Sequence, residues 1–194
     1  MGEKIQDPCR GGFGSVREVF AGIFLGIGHA GDRNCQAAYP YLMKNQKGKI
    51  MIREIKEKDL AGLLKLYTQL HENPLPGKSD KLKQLWSEIL TDPNHHIIVC
   101  EEKGEIISSC VCVIIPNLTH EQRPYALIEN VITDEKYRKK GYATACLDFA
   151  RDIAKEENCY KIMLMTGSKE ESTLNFYRKT GYNSNDKTAF IQWL

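Results

Sequence analysis

Three consecutive cations lie at the start of a predicted helix, in the segment Tyr137-Arg138-Lys139-Lys140-Gly141-Tyr142-Ala143. A helix N-terminus carries partial positive charge, so cations are unfavourable there unless an anion neutralises them. A glycine in such a turn lets the backbone approach a ligand closely. Free helix N–H groups beside cations are typical of a phosphate or pyrophosphate site. The segment therefore predicts an anion-binding turn, and a solvated basic surface is the alternative interpretation.

Strand and helix patterns alternate around this turn. A strand is predicted at residues 125–133, before the turn, and an amphipathic helix at 141–157 follows it. Another strand is predicted at residues 161–165. Because a strand, a helix and a strand of these lengths usually form a parallel crossover, we expect the two strands to be parallel neighbours in one sheet.

The other predicted elements complete one domain. They are a strand at 51–56, helices at 59–71 and 79–90, a hairpin of strands at 97–100 and 106–115, a helix at 170–180 and a last strand at 188–194. The fold class is α/β (α+β), with a mixed, mostly antiparallel central sheet flanked by helices in the order βααβββαβαβ. Residues 1–49 are rich in glycine between Gly11 and Gly31 and show no helix or strand period. We interpret them as an irregular extension, from cloning or from the choice of start site, that precedes a domain at residues 50–194.

Composition limits the classes of protein that fit. The 194 residues are 42% hydrophobic and carry a formal net charge of +2, which is too small for a nucleic-acid-binding protein. Seven cysteines form no CxxC pair, so we expect a reducing, cytoplasmic setting without disulfides or a metal site. Trp86 and Trp193 fit packing in the core or at a sheet edge. The apolar run at 19–27 is shorter than the ~20 residues of a membrane-spanning helix, so no membrane association is predicted.

Two blocks of the sequence resemble motifs of the GNAT acetyltransferases. The run from Ile128 to Ala143 resembles the family's acetyl-CoA motif, a strand and a turn followed by R/Q-x-x-G-x-G/A, with Arg138, Gly141 and Ala143 in the matching places. The run Asn175-Phe176-Tyr177-Arg178-Lys179-Thr180-Gly181-Tyr182 resembles the late F-Y-x-x-x-G-F/Y segment. The resemblance covers about residues 50–194. It implies a GNAT-like fold, acetyl-CoA as co-substrate and N-acetyltransferase activity.

The resemblance also implies how the co-substrate binds. Its pyrophosphate is expected at the basic turn, and its pantetheine arm along the edge of the preceding strand, like an added strand. The predicted cofactor-binding residues are Val131, Ile132, Thr133, Arg138, Lys139, Lys140, Gly141, Tyr142, Ala143, Thr144 and Asn175. Where the family often has an asparagine, this chain has Glu170, and Ser168, Ser172 or Asn175 are the possible substitutes.

Two residues are predicted to move protons. Glu129 is the expected base for the amine, directly or through a water, and a structural ion pair is its alternative role. Tyr177 matches the family tyrosine that protonates the departing thiolate, and a packed core tyrosine is the alternative. The backbone N–H near Val131 is expected to polarise the thioester carbonyl. His95 and His96 are weaker candidates for the base, because paired histidines before a strand are more often surface residues.

The predicted function is therefore transfer of the acetyl group of acetyl-CoA directly to an amine of a small molecule, in a ternary complex. The alternatives are a catalytically weak GNAT-fold module that binds acyl-CoA or a metabolite, and an acetyltransferase for protein or peptide amines. The protein is expected to be a monomer or a homodimer. The sequence leaves the acceptor amine open.

Overall fold

A six-stranded sheet forms the centre of the molecule, for which the computed structural model describes residues 41–45, 48–70 and 74–194. The strands lie side by side in chain order: β1 Tyr41–Asn45, β2 Gly48–Glu54, β3 His95–Glu102, β4 Glu105–Ile115, β5 Tyr125–Thr133 and β6 Ile162–Leu164. Neighbouring strands are antiparallel except β5 and β6, which are parallel. The mixed, mostly antiparallel sheet and the parallel β5–β6 crossover that the sequence predicted are thus confirmed.

Four helices accompany the sheet in the described residues: α1 Leu60–Tyr67, α2 Asp80–Thr91, α3 Tyr142–Glu156 and α4 Glu171–Lys179. Single 3-10 turns at Glu57–Asp59 and Glu135–Tyr137 precede α1 and α3. The α2 helix begins where predicted because the Ser79 hydroxyl accepts the Leu82 N–H at 3.1 Å. The α1 helix ends earlier than predicted. Its last turn tightens through i→i−3 bonds, from Gln69 N–H to the Leu66 carbonyl and from Leu70 N–H to the Tyr67 carbonyl.

Helices pack on both faces of the sheet. The larger core lies between α3 and the strands and includes Cys146, Phe149, Ala150 and Ile153 of that helix. The smaller core joins Leu63 of α1 and Trp86 of α2 to Ile97, Val99 and Val111 of the sheet. In β3, residues 97–100 alternate between the two cores, as the two-residue period of a strand requires.

Tryptophan and cysteine side chains in these cores have the structural roles that the sequence suggested. Trp86 is buried, and its indole Nε1–H donates to the Glu57 carbonyl at 3.1 Å. Cys100, Cys110, Cys112 and Cys146 are buried free thiols. Burial raises the pKa of the Cys112 thiol to about 12, so it stays protonated and serves as packing rather than as a nucleophile.

The N-terminal edge of the sheet lies partly within the segment that the sequence predicted to be irregular. β1 pairs antiparallel with β2, with Tyr41 opposite Ile52 and Asn45 opposite Gly48. Regular structure therefore begins before residue 50, because the apolar residues 41–43 precede a short turn and can pair with β2. Residues 1–40 lie outside the described residues, and their irregular structure stays a prediction.

The predicted last strand at 188–194 is wrong, because this segment has no regular secondary structure. The Asn183 side chain instead accepts the Asn185 N–H at 2.8 Å, which makes a local turn after α4. A strand forms only where it can pair, and neighbouring β6 is just three residues long. Trp193 is 87% exposed, so its predicted packing is also wrong.

Candidate active site

An opening beside β5 is the centre of the candidate site. β5 and β6 are paired from Ala126–Ile162 to Ile128–Leu164, where β6 ends. β5 continues from Glu129 to Thr133 and is paired there only with β4, among the residues that the structure describes. An unpaired strand edge offers N–H and C=O groups to an extended ligand. The predicted edge residues Val131, Ile132 and Thr133 all lie in this stretch.

A β-bulge changes the direction of β5 within the opening. Val111 lies opposite Glu129, whereas Ser109 lies opposite Ile132, so β5 has one residue more than β4 in this stretch. Asn130 takes up the irregularity with a φ of 50° and is exposed. Bulges commonly re-aim side chains and backbone groups beside functional sites. In a regular strand, the side chains of Glu129 and Asn130 would point to opposite faces of the sheet. The bulge, which the sequence could not reveal, breaks this alternation.

The turn between β5 and α3 has two residues in the left-handed region, Lys139 with a φ of 61° and Gly141 with a φ of 84°. Gly141 is the residue before α3, and no side chain caps the helix there. A Cβ built on Gly141 meets nothing within 4 Å, so open space lies in front of the helix start. The positive φ favours glycine at this position, and the open space leaves room for a ligand at the helix N–H groups.

Carbonyl oxygens of the same turn hold two of its cations in place. The Arg138 Nε–H donates to the Thr133 carbonyl at 3.2 Å. The Lys140 ammonium donates to the Lys136 carbonyl at 3.1 Å and lies 4.9 Å from the centre of the Tyr137 ring. Arg138, Lys139 and Lys140 are all exposed, so the turn presents positive charge to solvent beside the N-terminus of α3.

The first turn of α3 presents backbone and small side chains rather than large ones. Ala143 and Thr144 are partly exposed. The Tyr142 side chain is buried in the larger core, and its ring centroid lies 6.3 Å from that of Tyr137. Tyr142 can therefore serve a ligand only through its backbone, whereas its ring fixes the helix to the core.

The structure brings Glu129 and Tyr177 into the same region. Glu129 is partly buried at the end of the paired part of β5, next to the bulge. Tyr177 lies on α4 and packs against the rings of Phe176 and Tyr182, with centroids at 5.0 and 6.2 Å. Burial, followed by the neighbouring Cys110 and Glu129, raises the pKa of Tyr177, so its hydroxyl stays protonated at neutral pH and can donate a proton.

The Asn175 and His96 side chains bond to residues outside this opening. The Asn175 side chain is exposed and accepts from the Arg178 guanidinium at 3.0 Å on its own helix. His96 lies on β3, two strands from β5, and its Nδ1 is 2.5 Å from a Glu54 carboxylate oxygen. His96 is largely buried rather than on the surface, because this pair sits between β2 and β3.

Gln69 is a site residue that the sequence did not indicate. It follows α1, and its amide bonds to Asp134 and Glu135 at the start of the basic turn, with distances of 2.8 and 3.1 Å. A lone glutamine near a helix end carries no recognisable sequence signal, since its role depends on a contact across 65 residues.

Among the described residues, no group of three or more His, Cys, Asp or Glu side chains could hold a metal ion, and no helix is long and apolar enough to cross a membrane.

Comparison with known proteins identifies the family. The family model for the acetyltransferase (GNAT) family matches residues 60–182, which is more than half of the chain and includes β5, the basic turn, α3 and α4. The region that matches this acyltransferase family thus includes both the opening beside β5 and the exposed cations at the start of α3. The chain belongs to the GNAT family of acetyltransferases, whose members use acetyl-CoA.

Individual relatives agree with this assignment. Glucosamine 6-phosphate N-acetyltransferase of Trypanosoma brucei brucei is 28% identical over 142 residues, which are 70% of this chain and 90% of that protein. The structure of a provisionally assigned acetyltransferase from Agrobacterium tumefaciens is similar with a TM-score of 0.68 and 34% identity, covering 73% of this chain and 99% of the other. The structure of glucosamine-6-phosphate N-acetyltransferase from Arabidopsis thaliana is similar with a TM-score of 0.66 and 25% identity, covering 74% of this chain and 97% of the other.

Proposed function

We propose that this protein transfers the acetyl group of acetyl-CoA directly to an amine of a small molecule, in a ternary complex. The observation that carries the proposal is the unpaired edge of β5 between Glu129 and Thr133, which leads from the Glu129–Tyr177 region to the basic start of α3. An extended anionic thioester fits this path, because its arm can follow a strand edge and its pyrophosphate can end at a cationic helix start.

The basic turn is suited to the pyrophosphate. The backbone N–H groups of Ala143 and Thr144 lie in the first turn of α3, where an α-helix has no acceptors of its own. Arg138, Lys139 and Lys140 add positive charge on the surface beside these groups. We expect the charge-assisted bonds of this turn to account for most of the co-substrate affinity.

Two side chains and one backbone group are proposed to carry out the proton transfers and charge stabilisation. Bound acetyl-CoA supplies the acetyl thioester. Glu129 accepts the proton of the attacking amine, directly or through a water. The N–H near Val131, at the bulge of β5, donates to the carbonyl oxygen as negative charge develops there. Tyr177, kept protonated by its raised pKa, donates a proton to the departing thiolate.

The relatives suggest where to look for the acceptor. Two of them are named for glucosamine 6-phosphate, and both are covered by this chain over 90% or more of their length. We therefore place that amino sugar first in a panel of small-molecule amines, with amino acids, aminoglycosides and peptide N-termini after it. Release of free thiol from acetyl-CoA reports turnover with any amine. Binding of acetyl-CoA without turnover on the whole panel would favour the alternative, a GNAT-fold module that only binds.

Replacing Gly141 by glutamate is expected to abolish the binding of acetyl-CoA. The new carboxylate would occupy the open space in front of α3 and repel the pyrophosphate, so we expect Kd to rise by at least roughly 100-fold. Isothermal titration calorimetry with the wild-type protein and both Gly141→Glu and Gly141→Ala measures the effect. The alanine variant imposes similar backbone strain without the charge or the length, so it should retain most of the affinity. Equal affinities of wild type and Gly141→Glu would refute the proposed cofactor site.

Replacing Glu129 by glutamine is expected to lower kcat by roughly 100-fold, because the amide cannot accept the amine proton. The isosteric side chain should leave the affinity for acetyl-CoA unchanged. Steady-state thiol release with the best amine of the panel, together with calorimetry, separates the two quantities. Glu156→Gln, at the exposed C-terminal end of α3, is the matched control and should behave as wild type. A Glu129→Gln variant with wild-type kcat would leave Glu129 only its alternative, structural role.

A further inference from the structure

Gln69 connects the end of α1 to the start of the basic turn through both ends of its amide. Its Nε2–H donates to the Asp134 carboxylate at 2.8 Å, and its Oε1 accepts the Glu135 N–H at 3.1 Å. The two bonds use the donor and the acceptor of one planar amide group, so they fix the orientation of the amide as well as its distance from the turn. α1 and the turn are 65 residues apart in sequence.

Asp134 is the residue through which this contact reaches the rest of the turn. Its N–H donates to the Ile107 carbonyl of β4 at 2.9 Å, and its carbonyl accepts the Tyr137 N–H at 2.8 Å. Its second carboxylate oxygen accepts the Lys136 N–H at 3.0 Å. Asp134 thus joins β4, the 3-10 turn and, through Gln69, the α1 helix. The chain that leads to Arg138 is therefore held at Asp134 by both backbone and side-chain bonds.

The contact also controls where a negative charge lies. Asp134 is four residues before Arg138, whose guanidinium is held beside the Thr133 carbonyl. A free Asp134 carboxylate could add a second negative charge beside the cations that the pyrophosphate needs, since the exposed Glu135 carboxylate already lies 3.7 Å from the Arg138 guanidinium. Burial opposes ionisation of Asp134, but the hydrogen bonds from Gln69 and Lys136 outweigh it and lower the pKa of the carboxyl group. The side chain therefore carries a negative charge, and its hydrogen bonds decide where that charge lies. Both of its oxygens are occupied by the Gln69 and Lys136 bonds.

We infer that Gln69 is a positioning residue for the pyrophosphate turn: it fixes the turn to α1 and holds the Asp134 carboxylate away from the cations that bind the co-substrate. This inference rests on the proposed function. Gln69 bonds to Asp134 and Glu135 rather than to a reacting group, so its effect falls on Kd and KM for acetyl-CoA and not on kcat.

A charge-swapped pair of variants tests the inference. Gln69→Ala removes both bonds, and we expect Kd for acetyl-CoA to rise about tenfold with kcat at saturation unchanged. Gln69→Glu places a second carboxylate against Asp134 and should weaken binding further. Gln69→Glu combined with Asp134→Asn reverses donor and acceptor in the same geometry at the same net charge, so it should restore the affinity. Gln84→Ala is the control, because the Gln84 amide donates to the Glu88 carboxylate on the exposed surface of α2.

Calorimetry and steady-state kinetics on the wild-type protein and these four variants decide between the outcomes. Rescue of affinity by the swapped pair supports the inference when kcat at saturation stays at the wild-type value in every variant, because a general loss of folded protein would lower the apparent kcat as well. If Gln69→Ala binds acetyl-CoA as tightly as wild type, or if the swapped pair binds no better than Gln69→Glu, the inference is overturned while the proposed function stands. If the wild-type protein does not bind acetyl-CoA, both are overturned.

Discussion

Replacement of Tyr177 by phenylalanine is expected to lower kcat by about 100- to 1000-fold while leaving the affinity for acetyl-CoA unchanged. The substitution removes only the hydroxyl, which is the proposed proton donor to the departing thiolate. The phenylalanine ring can keep the contacts with Phe176 and Tyr182. Burial raises the pKa of Tyr177 further above neutral, so the hydroxyl carries its proton at neutral pH in the wild-type protein.

Single-turnover and steady-state measurements of thiol release test this expectation, with calorimetry to confirm binding. Tyr182→Phe is the matched control, because Tyr182 packs edge-on against Tyr177 and removal of its hydroxyl perturbs the same aromatic cluster. The control should keep kcat near the wild-type value. If both variants lose the same amount of activity, the cluster rather than the Tyr177 hydroxyl is important, and the proton-donor role is wrong. If neither loses activity, another group or water protonates the thiolate.

The central part of the fold could be predicted from the sequence because its signals are local and strong. β5 has the bounds predicted for it, and α3 begins and ends one residue inside the predicted range. The spacing of apolar residues indicated the helix, and the apolar run before the basic turn indicated the strand. The late helix at Glu171–Lys179 was also predicted to within a residue at each end.

The two edges of the sheet were harder to predict, because edge strands depend on pairing partners more than on their own residues. β1 forms in a segment whose composition suggested irregular structure, since β2 is available to pair with it. Residues 188–194 have an apolar, β-prone sequence but form no strand, because a local turn at Asn183 and a short β6 give them no partner.

The candidate site was predictable in its residues but not in its geometry. The cations and Gly141 could be found from their spacing before a helix. The bulge at Asn130, the burial of the Tyr142 ring and the contact of Gln69 with Asp134 could not, because each is decided by packing between distant parts of the chain. Asn175 shows the opposite case. Its place in a recognisable block suggested a ligand contact, whereas its side chain bonds to Arg178.

Replacement of Arg53 by methionine is expected to lower the free energy of unfolding by about 3–5 kcal/mol, the largest stability effect that we predict. Five N–H donors are available on a guanidinium, and Arg53 uses all of them. Nη1 and Nη2 bond to the two oxygens of Asp59 at 2.6 and 3.1 Å, Nε and Nη2 bond to Glu101 at 3.1 and 2.6 Å, and Nη1 also bonds to the Glu54 carbonyl at 3.0 Å.

The size of the effect follows from what the substitution leaves behind. The side chains of Arg53 and Asp59 are only 7% and 8% exposed, so the methionine variant would contain a buried carboxylate without its cation. Asp59 also accepts the Lys56 N–H at 2.8 Å and precedes α1, so the network fixes this helix to β2 and β3. Since Gln69 follows the same helix, a shift of α1 would also reach the basic turn.

Urea unfolding of Arg53→Met, Arg53→Met/Asp59→Asn and Lys83→Met measures these contributions. The double variant should be more stable than Arg53→Met alone, because the uncharged amide removes the buried charge and can still accept the Lys56 N–H. Lys83→Met breaks an ion pair whose side chains are 76% and 98% exposed, and it should change the unfolding free energy by less than about 1 kcal/mol. An Arg53→Met variant as stable as Lys83→Met would show that the network does not hold α1 to the sheet. Hydrophobic contacts such as those of Leu63 would then hold α1 to the sheet, and Gln69 would still connect the end of this helix to the basic turn.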